Sequence, residues 1–320
     1  MGTKIYCIRE EGPVFKKMMA EKGYELVVGK GIELDKLADV DVILPIMLPI
    51  GAKELDHAPK CKLICKVGVG VDNIDLEECA RRGIPVCNTP LSNYVAVAEH
   101  AIALMFAVGH RIYERELVIK DTDTPDFSFT RIRPNFECMD KVFGIIGFGN
   151  NGRYAAKLAH GLGMKVMVYS EHARKEDVPD YVMLANSVEE LLAHADVLSL
   201  HIAATPDQKN YMDAEKFAMM KDGAIFINVS RGFVVDEDAL IAVLKSGKLF
   251  GAGLDVVNDE SHVKPNELFY MPNVIITQHC AAGTPEASAR AQLMQAENII
   301  SFIENGVVPE GRLKNNPVKK

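Results

Sequence analysis

Long apolar runs are missing from this 320-residue sequence: none approaches the ~20 residues that a bilayer span requires. The opening MGTKIYCIREEG lacks the layout of a secretory signal peptide, and its Met-Gly start has Tyr6 where the myristoylation pattern wants Ser or Thr. A surplus of positive charge is missing as well. Lys and Arg total 36 against 44 Asp and Glu, a formal net charge of −8, which argues against nucleic acid or an anionic membrane as partner. The 7 cysteines are odd in number, and Cys7, Cys65 and Cys87 sit inside apolar runs. Cys61 and Cys65 have neither metal-site spacing nor a companion cluster, so reduced core thiols in a cytoplasmic protein, with no metal site, are expected. Solenoid repeats and low-complexity tracts are absent too.

What is present is an ordinary globular balance, 48% hydrophobic and 25% charged, in a chain long enough for two domains. Strand-length apolar runs alternate with helix-length amphipathic segments, the signature of parallel-sheet α/β architecture. One set of strands is predicted at 4–8, 25–29, 40–46, 62–68 and 84–88. A second set is predicted at 141–147, 165–170, 196–202, 224–230, 252–256 and 273–279. Two long helices flank this second set. VAVAEHAIALMFAVGHR (95–111) is apolar nearly all round and is expected between layers. PEASARAQLMQAENIISFIEN (285–305) has Pro285 in its first turn and Gly306 just past its end. The chain is thus expected to leave an N-terminal domain through the first helix and return through the second, with the tail GRLKNNPVKK rejoining that domain. Residues 120–136, polar and proline-bearing, read as a loop or an arm.

The strongest motif opens the second strand set. In KVFGIIGFGNNGR (141–153) an apolar run leads into Gly147, Gly149 and Gly152, spaced G-x-G-x-x-G, and then into a helix-forming stretch. Such a motif is weak alone, but a strand before it and a helix after it supply what a dinucleotide needs. Gly147 makes the tight turn, Gly149 leaves room for a pyrophosphate, and Gly152 lets the helix pack on the strand. The helix start offers free N–H groups and a positive dipole end to the phosphates. Three polar side chains follow later strands of this set at their C-terminal ends, where open α/β sheets bind ligands: Arg231, Glu260 and His279. A guanidinium clamps a carboxylate with two parallel hydrogen bonds, and a histidine trades a proton near neutral pH. A carboxylate beside the imidazole stabilises its charged form. Singly, each is as readily a surface ion pair, a solvated acid or a strand cap. Together, behind a nucleotide fingerprint, they point to reversible hydride transfer to a 2-oxo acid.

These residues resemble the D-2-hydroxyacid dehydrogenases, the family of the D-lactate, glyoxylate/hydroxypyruvate and phosphoglycerate enzymes. The resemblance runs from about residue 40 to 305. It is specific at GVGVDNID (68–75), RRGIPVCNTP (81–90), VAEHA (97–101), the glycine fingerprint, NVSRGFVVDEDAL (228–240), GAGLDVVNDE (251–260) and NVIITQHCAAGT (273–284). It implies two doubly wound parallel-sheet α/β domains and a homodimer. A Rossmann cofactor domain over 100–285 would be inserted in a flavodoxin-like substrate domain made of 1–99 and 286–320. By that likeness Arg231 would bind and polarise the substrate, Glu260 would support the histidine and His279 would be the acid/base. The backbone at Val69 and Gly70 would hold the substrate carboxylate, and Asp255 would receive the nicotinamide carboxamide. Asn150, Asn151, His201, Thr205, Val229 and Ala281 would join the three glycines along the cofactor. Several positions depart from the family pattern. Gln278 stands for the usual Pro before the histidine, Cys280 follows it, and Asn151 replaces the customary Ile. Ala203-Ala204 replaces Pro-Leu, and no Trp precedes the fingerprint. These changes bear on cofactor affinity more than on acid/base machinery.

Cofactor choice turns on the end of the second cofactor-domain strand. There Ser170 is neutral and small where an NAD enzyme usually carries an acid, while Arg174 and Lys175 follow closely enough to neutralise a 2′-phosphate. NADP(H) is favoured over NAD(H), with Glu171 as a competing ribose acid. The apolar LPIMLPIG (44–51) stands where many relatives carry Arg-Ser, which disfavours a phosphorylated substrate. Ile46, Met47, Leu48 and Ser92 would suit a small or apolar side chain, or simply pack the strand end. The leading expectation is therefore a D-specific 2-oxo acid reductase. A dinucleotide-sensing corepressor and a formate- or phosphite-type dehydrogenase remain as alternatives, although the formate enzymes place His where Glu260 stands.

Overall fold

The computed structural model describes residues 2–120, 134–202, 205–261 and 266–317. Most of the expected arm at 120–136, and the Ala203-Ala204 pair, lie outside the described residues. In chain order the first elements are β1 (Lys4–Cys7), α1 (Pro13–Glu21), β2 (Glu25–Val28), β3 (Val42–Leu44), α2 (Ala52–Asp56), β4 (Leu63–Cys65), α3 (Leu76–Arg81) and β5 (Val86–Cys87). They are followed by α4 (Tyr94–Gly109), α5 (Ile112–Lys120), β6 (Val142–Ile146), α6 (Asn150–Gly161), β7 (Lys165–Tyr169), β8 (Val182–Leu184), α7 (Val188–His194) and β9 (Val197–Leu200). The last are α8 (Ala214–Met219), β10 (Ala224–Asn228), α9 (Glu237–Lys245), β11 (Leu249–Leu254), β12 (Val274–Ile276) and α10 (Pro285–Asn305).

The chain packs as two units, Met1–Asn93 with Gly283–Lys320, and Tyr94–Ala282. The sequence places the crossings at 99/100 and 285/286. The first falls instead at the start of α4, which stays whole because Ala98, Ala101, Leu104, Met105 and Val108 all join one core of the second unit. The second precedes Thr284, whose side chain caps α10 by accepting from the Ala287 N–H.

The first unit holds a five-stranded parallel sheet in the order β2-β1-β3-β4-β5, the flavodoxin-like arrangement. Its strands alternate between two cores, as a period of 2 requires. Ile5 and Cys7 pack with Phe15 of α1 and Ile299 of α10, while Tyr6 and Ile8 pack on the other face with Leu55 and Cys79. The tail rejoins this sheet: Leu313 bridges Cys87 in antiparallel sense, and Asn315 Oδ1 accepts from the Val86 N–H at 2.9 Å.

The second unit is a seven-stranded parallel sheet, β12-β11-β10-β9-β6-β7-β8. Strand order reverses between β6 and β9, so the segments leaving those strands border the switch-point crevice. Ile225 and Ile227 face the core shared with α4 and α6, and Phe226 faces the opposite core. β8 has no counterpart in the sequence reading, because it is a three-residue edge strand with Met183 exposed. β11 starts at Leu249, ahead of the expected 252, because its poor strand formers Gly251 and Gly253 lie directly under α4. A Cβ there would come within 2.8 Å of Val108 and of Leu104. Among the described residues no helix is long and apolar enough to cross a membrane.

Candidate active site

At the switch point β6 delivers the chain to Gly147, whose φ of 93° is open to glycine and costly for other residues. A Cβ on Gly147 would meet the His201 carbonyl at 2.6 Å, and one on Gly152 the Gly147 carbonyl at 2.2 Å. Gly149 differs: among the described residues nothing lies within 4 Å of where its Cβ would be. It therefore leaves open space against the N-terminus of the 12-residue α6, which starts with Asn150 and Asn151. Beside this turn His201 is 9% exposed, with Nε2 hydrogen-bonded to Ser199 Oγ at 2.9 Å and Nδ1 without a partner among the described residues. Burial pulls its pKa down to about 4, so the imidazole stays neutral. Open space at a helix start, beside a buried nitrogen with no partner among the described residues, fits a dinucleotide. Val229 and Ala281 are buried and Thr205 is exposed.

β7 ends at Tyr169, and Ser170 follows it, half-buried; Glu171, Arg174 and Lys175 are exposed. Arg174 precedes a short 3₁₀ turn, Lys175–Asp177, rather than a longer helix. Arg153 of α6 ties this segment to the glycine turn. It donates to the Asp177 carbonyl at 2.6 Å and lies over the Phe148 ring at 4.5 Å. Nothing in the sequence marks Arg153 beyond its place directly after Gly152, on the exposed face of α6.

The three polar candidates leave three neighbouring strands. Arg231 follows a turn after β10 in which Asn228 Nδ2 donates to the Arg231 carbonyl at 2.9 Å, and Asn228 Oδ1 accepts from Ser230 N–H and O–H. The next residue, Gly232, is required by packing: a Cβ there would sit 2.0 Å from the Val257 carbonyl. That contact seats the Arg231 turn against the segment leading from β11 to Glu260. Glu260 Oε2 lies 3.0 Å from Nδ1 of His279. Glu260 and His279 are thus brought together.

His279 has a φ of 51°, in the left-handed region that few residues other than glycine adopt. Asp255, just past β11 and 2% exposed, holds that turn. Its carbonyl accepts from the His279 N–H at 2.8 Å, while its carboxylate accepts from the N–H groups of Cys280 at 2.9 Å and Ala281 at 3.0 Å. The Thr277 hydroxyl donates to the same carboxylate at 2.6 Å. His100 Nε2, on α4, lies 2.8 Å from that hydroxyl oxygen. Because the one hydroxyl hydrogen goes to Asp255, the His100 nitrogen is the donor. His100, Asp255 and Cys280 are the one group of metal-ligating types clustered among the described residues, with ligand atoms within 4.8 Å of one another. With the His100 nitrogen donating and the carboxylate accepting three bonds, the cluster forms a hydrogen-bonded strut.

In the first unit Gly68, with φ 96°, turns the chain after β4. Thr89 Oγ1 accepts from the Gly68 N–H at 2.8 Å, and Asn88 Nδ2 donates to the Val69 carbonyl at 2.6 Å. These bonds fix the backbone at Val69 and Gly70 and leave the Val69 side chain 40% exposed. Met47 and Leu48 are also exposed, whereas Ser92 is 1% exposed and donates to the Thr89 carbonyl at 2.8 Å. Its hydroxyl braces the 89–92 turn.

Doubly wound parallel sheets, one of them carrying a dinucleotide turn at its switch point, define a dinucleotide-dependent oxidoreductase. Residues 102–281 match the family described as D-isomer specific 2-hydroxyacid dehydrogenase, NAD binding domain. The chain is 36% identical over 321 residues to a glyoxylate reductase of Thermococcus litoralis, covering 97% of this chain and 96% of that one. Among solved structures it resembles the D-lactate dehydrogenase from Aquifex aeolicus complexed with NAD and lactic acid. The TM-score is 0.86 at 26% identity, with 99% of this chain and 100% of that one covered. An acyclic imino acid reductase, Bsp5, in complex with NADPH and D-Arg gives a TM-score of 0.85 at 26% identity, covering 98% and 100%. The chain belongs to the D-isomer specific 2-hydroxyacid dehydrogenase family, and its second unit is the family's NAD-binding domain.

Proposed function

We propose that this protein reduces glyoxylate, or a 2-oxo acid of similar size, to the corresponding 2-hydroxy acid, with NADP(H) favoured over NAD(H). The observation that carries the reading is the 3.0 Å contact between Nδ1 of His279 and Oε2 of Glu260. With Nδ1 held, Nε2 is the nitrogen that gives a proton to the oxo oxygen as it becomes a hydroxyl, and takes it back in the reverse direction. Glu260, through the same contact, fixes the orientation of the ring. Arg231 grips the substrate through its two-pronged guanidinium and draws charge toward the oxo oxygen. The backbone at Val69 and Gly70 is the candidate holder of the substrate carboxylate, with the exposed Met47 as a candidate substrate contact and Ser92 bracing the neighbouring turn. A nicotinamide coenzyme, when bound, supplies the hydride. Asp255 orients its carboxamide; Gly147, Gly149, Asn150, Asn151 and Gly152 cradle its phosphates, and His201, Thr205, Val229 and Ala281 line its path.

The coenzyme preference is supported by the small neutral Ser170 and the exposed Arg174 near it, with the exposed Glu171 as the competing group. A cytoplasmic homodimer is supported by 7 unpaired cysteines and by the exposed Ile112, Tyr113 and Leu117 of α5. The reading is tested by steady-state reduction of glyoxylate, hydroxypyruvate, pyruvate and a branched-chain 2-oxo acid with NADPH and with NADH. Turnover should be highest with a small 2-oxo acid and NADPH. No turnover of any 2-oxo acid with either coenzyme would overturn it.

A further inference from the structure

A chain of hydrogen bonds runs from α4 to the backbone of the His279 turn. We propose that His100 and Thr277 are positioning residues for His279, acting through Asp255; the catalytic consequence rests on the reading of His279 as the proton carrier. Each link has a physical reason. β12 ends at Ile276, so the N–H groups of Cys280 and Ala281 have left the sheet ladder and turn to the Asp255 carboxylate. His279, at a φ of 51°, directly precedes these two N–H groups and turns the chain back toward Asp255. The carboxylate that collects them is 2% exposed, and a carboxylate so buried requires donors on every side. Thr277 supplies the shortest of these bonds, at 2.6 Å, and its oxygen is oriented by His100 Nε2 at 2.8 Å. His100 Nε2 also lies 3.5 Å from Asp255 Oδ1, which adds a partial positive charge beside the buried anion.

Loss of the Thr277 hydroxyl would leave the carboxylate short of a donor and free to rotate toward another. The bonds to Cys280 and Ala281 would slacken, and His279 could relax to negative φ, swinging its ring away from Glu260. Such a fault alters the delivery of the proton and not the grip on substrate. Its signature is a fall in kcat with the KM for the 2-oxo acid near the wild-type value. A residue that only stabilises the fold would not give that split.

The experiment compares wild type with Thr277→Val, Thr277→Ser and His100→Phe in glyoxylate reduction at saturating coenzyme. It adds peptide-level hydrogen exchange over 277–282. Thr277→Val should lower kcat about tenfold, the loss expected of one hydrogen bond, and speed exchange in that peptide. Thr277→Ser, which keeps the hydroxyl, should restore both. His100→Phe should show the same two changes and add nothing further in the Thr277→Val background, because both residues belong to one strut. Wild-type kcat in Thr277→Val, or failure of Thr277→Ser to rescue, would overturn the positioning role. Unchanged exchange would overturn the strut itself, whatever the enzyme turns over. Absence of turnover in the wild type would instead overturn the reading of the reaction.

Discussion

A non-glycine residue held at φ 51° carries a backbone cost of about 1–3 kcal/mol, which the surrounding bonds must offset. His279 therefore combines two demands, a special backbone and a titratable ring, and substitution should separate them. Asn tolerates the left-handed region but cannot carry the proton. His279→Asn should therefore reduce 2-oxo acid turnover by the ~10²–10⁴ that general catalysis supplies, with coenzyme affinity little changed. Fluorescence titration of coenzyme beside a turnover assay checks this, and wild-type turnover would remove His279 from the mechanism. Arg231→Lys should raise the KM for the oxo acid and lower kcat, because an ammonium cannot reproduce a two-point grip; unaltered kinetics would make Arg231 purely structural. At the ribose end, Arg174→Ala should weaken NADPH roughly tenfold and leave NADH nearly unaffected. Ser170→Asp should move preference toward NADH by repelling a 2′-phosphate. Tighter NADH than NADPH binding in the wild type would point to Glu171 as the ribose acid.

At the scale of elements, β11 and α4 illustrate how a helix can settle close to a sheet. Gly253 gives α4 its seat, and a side chain there would collide with Leu104 and with Ile227, at 2.8 and 2.9 Å from the Cβ. Gly253→Val should thus cost at least the ~1–3 kcal/mol of an overpacked core, read as a lowered midpoint of urea unfolding. An unshifted midpoint would show that α4 moves freely outward. Gly251 and Gly253 together explain why β11 is only partly legible in the sequence, since glycine weakens a strand signal. Continuous runs such as AIFIN (224–228), buried on both faces, were legible at once. α10 was fully legible from Pro285 and Gly306, because caps are written locally. Gly147, Gly149 and Gly152 were legible for the same reason. Arg231, Glu260 and His279 are legible as types at strand ends, and the pairing of Glu260 with His279 comes from the family likeness, because spacing alone does not bring two loops together. The strut of His100, Thr277 and Asp255 was hidden, because its members stand far apart in sequence and only the packing of α4 on β11 and β12 joins them.

At the scale of the whole molecule, one buried imidazole links folding to pH. His201 is held neutral with a pKa of about 4, against ~6.5 for an unfolded histidine. Between those values the unfolded chain binds a proton that the folded chain refuses, so stability is complete above pH 6.5 and declines as pH falls toward 4. Without coenzyme, His201 should contribute a loss on the order of 2 kcal/mol between pH 7 and pH 5. His201→Gln should show a correspondingly shallower decline in urea midpoints, and equal slopes would sink the assignment. The second unit is spliced into the middle of the first, and that splice sets an order of events during synthesis. One face of the first sheet, bearing Ile5, Leu63 and Cys65, is completed only by Ala296 and Ile299 of α10. Tyr94–Ala282 has already left the ribosome before those residues emerge, so the inserted unit is able to fold while its host still waits for a wall. For most of translation the earliest-made strands are therefore a sticky half-built surface, and the nascent chain, more than the finished protein, is the form that needs a chaperone.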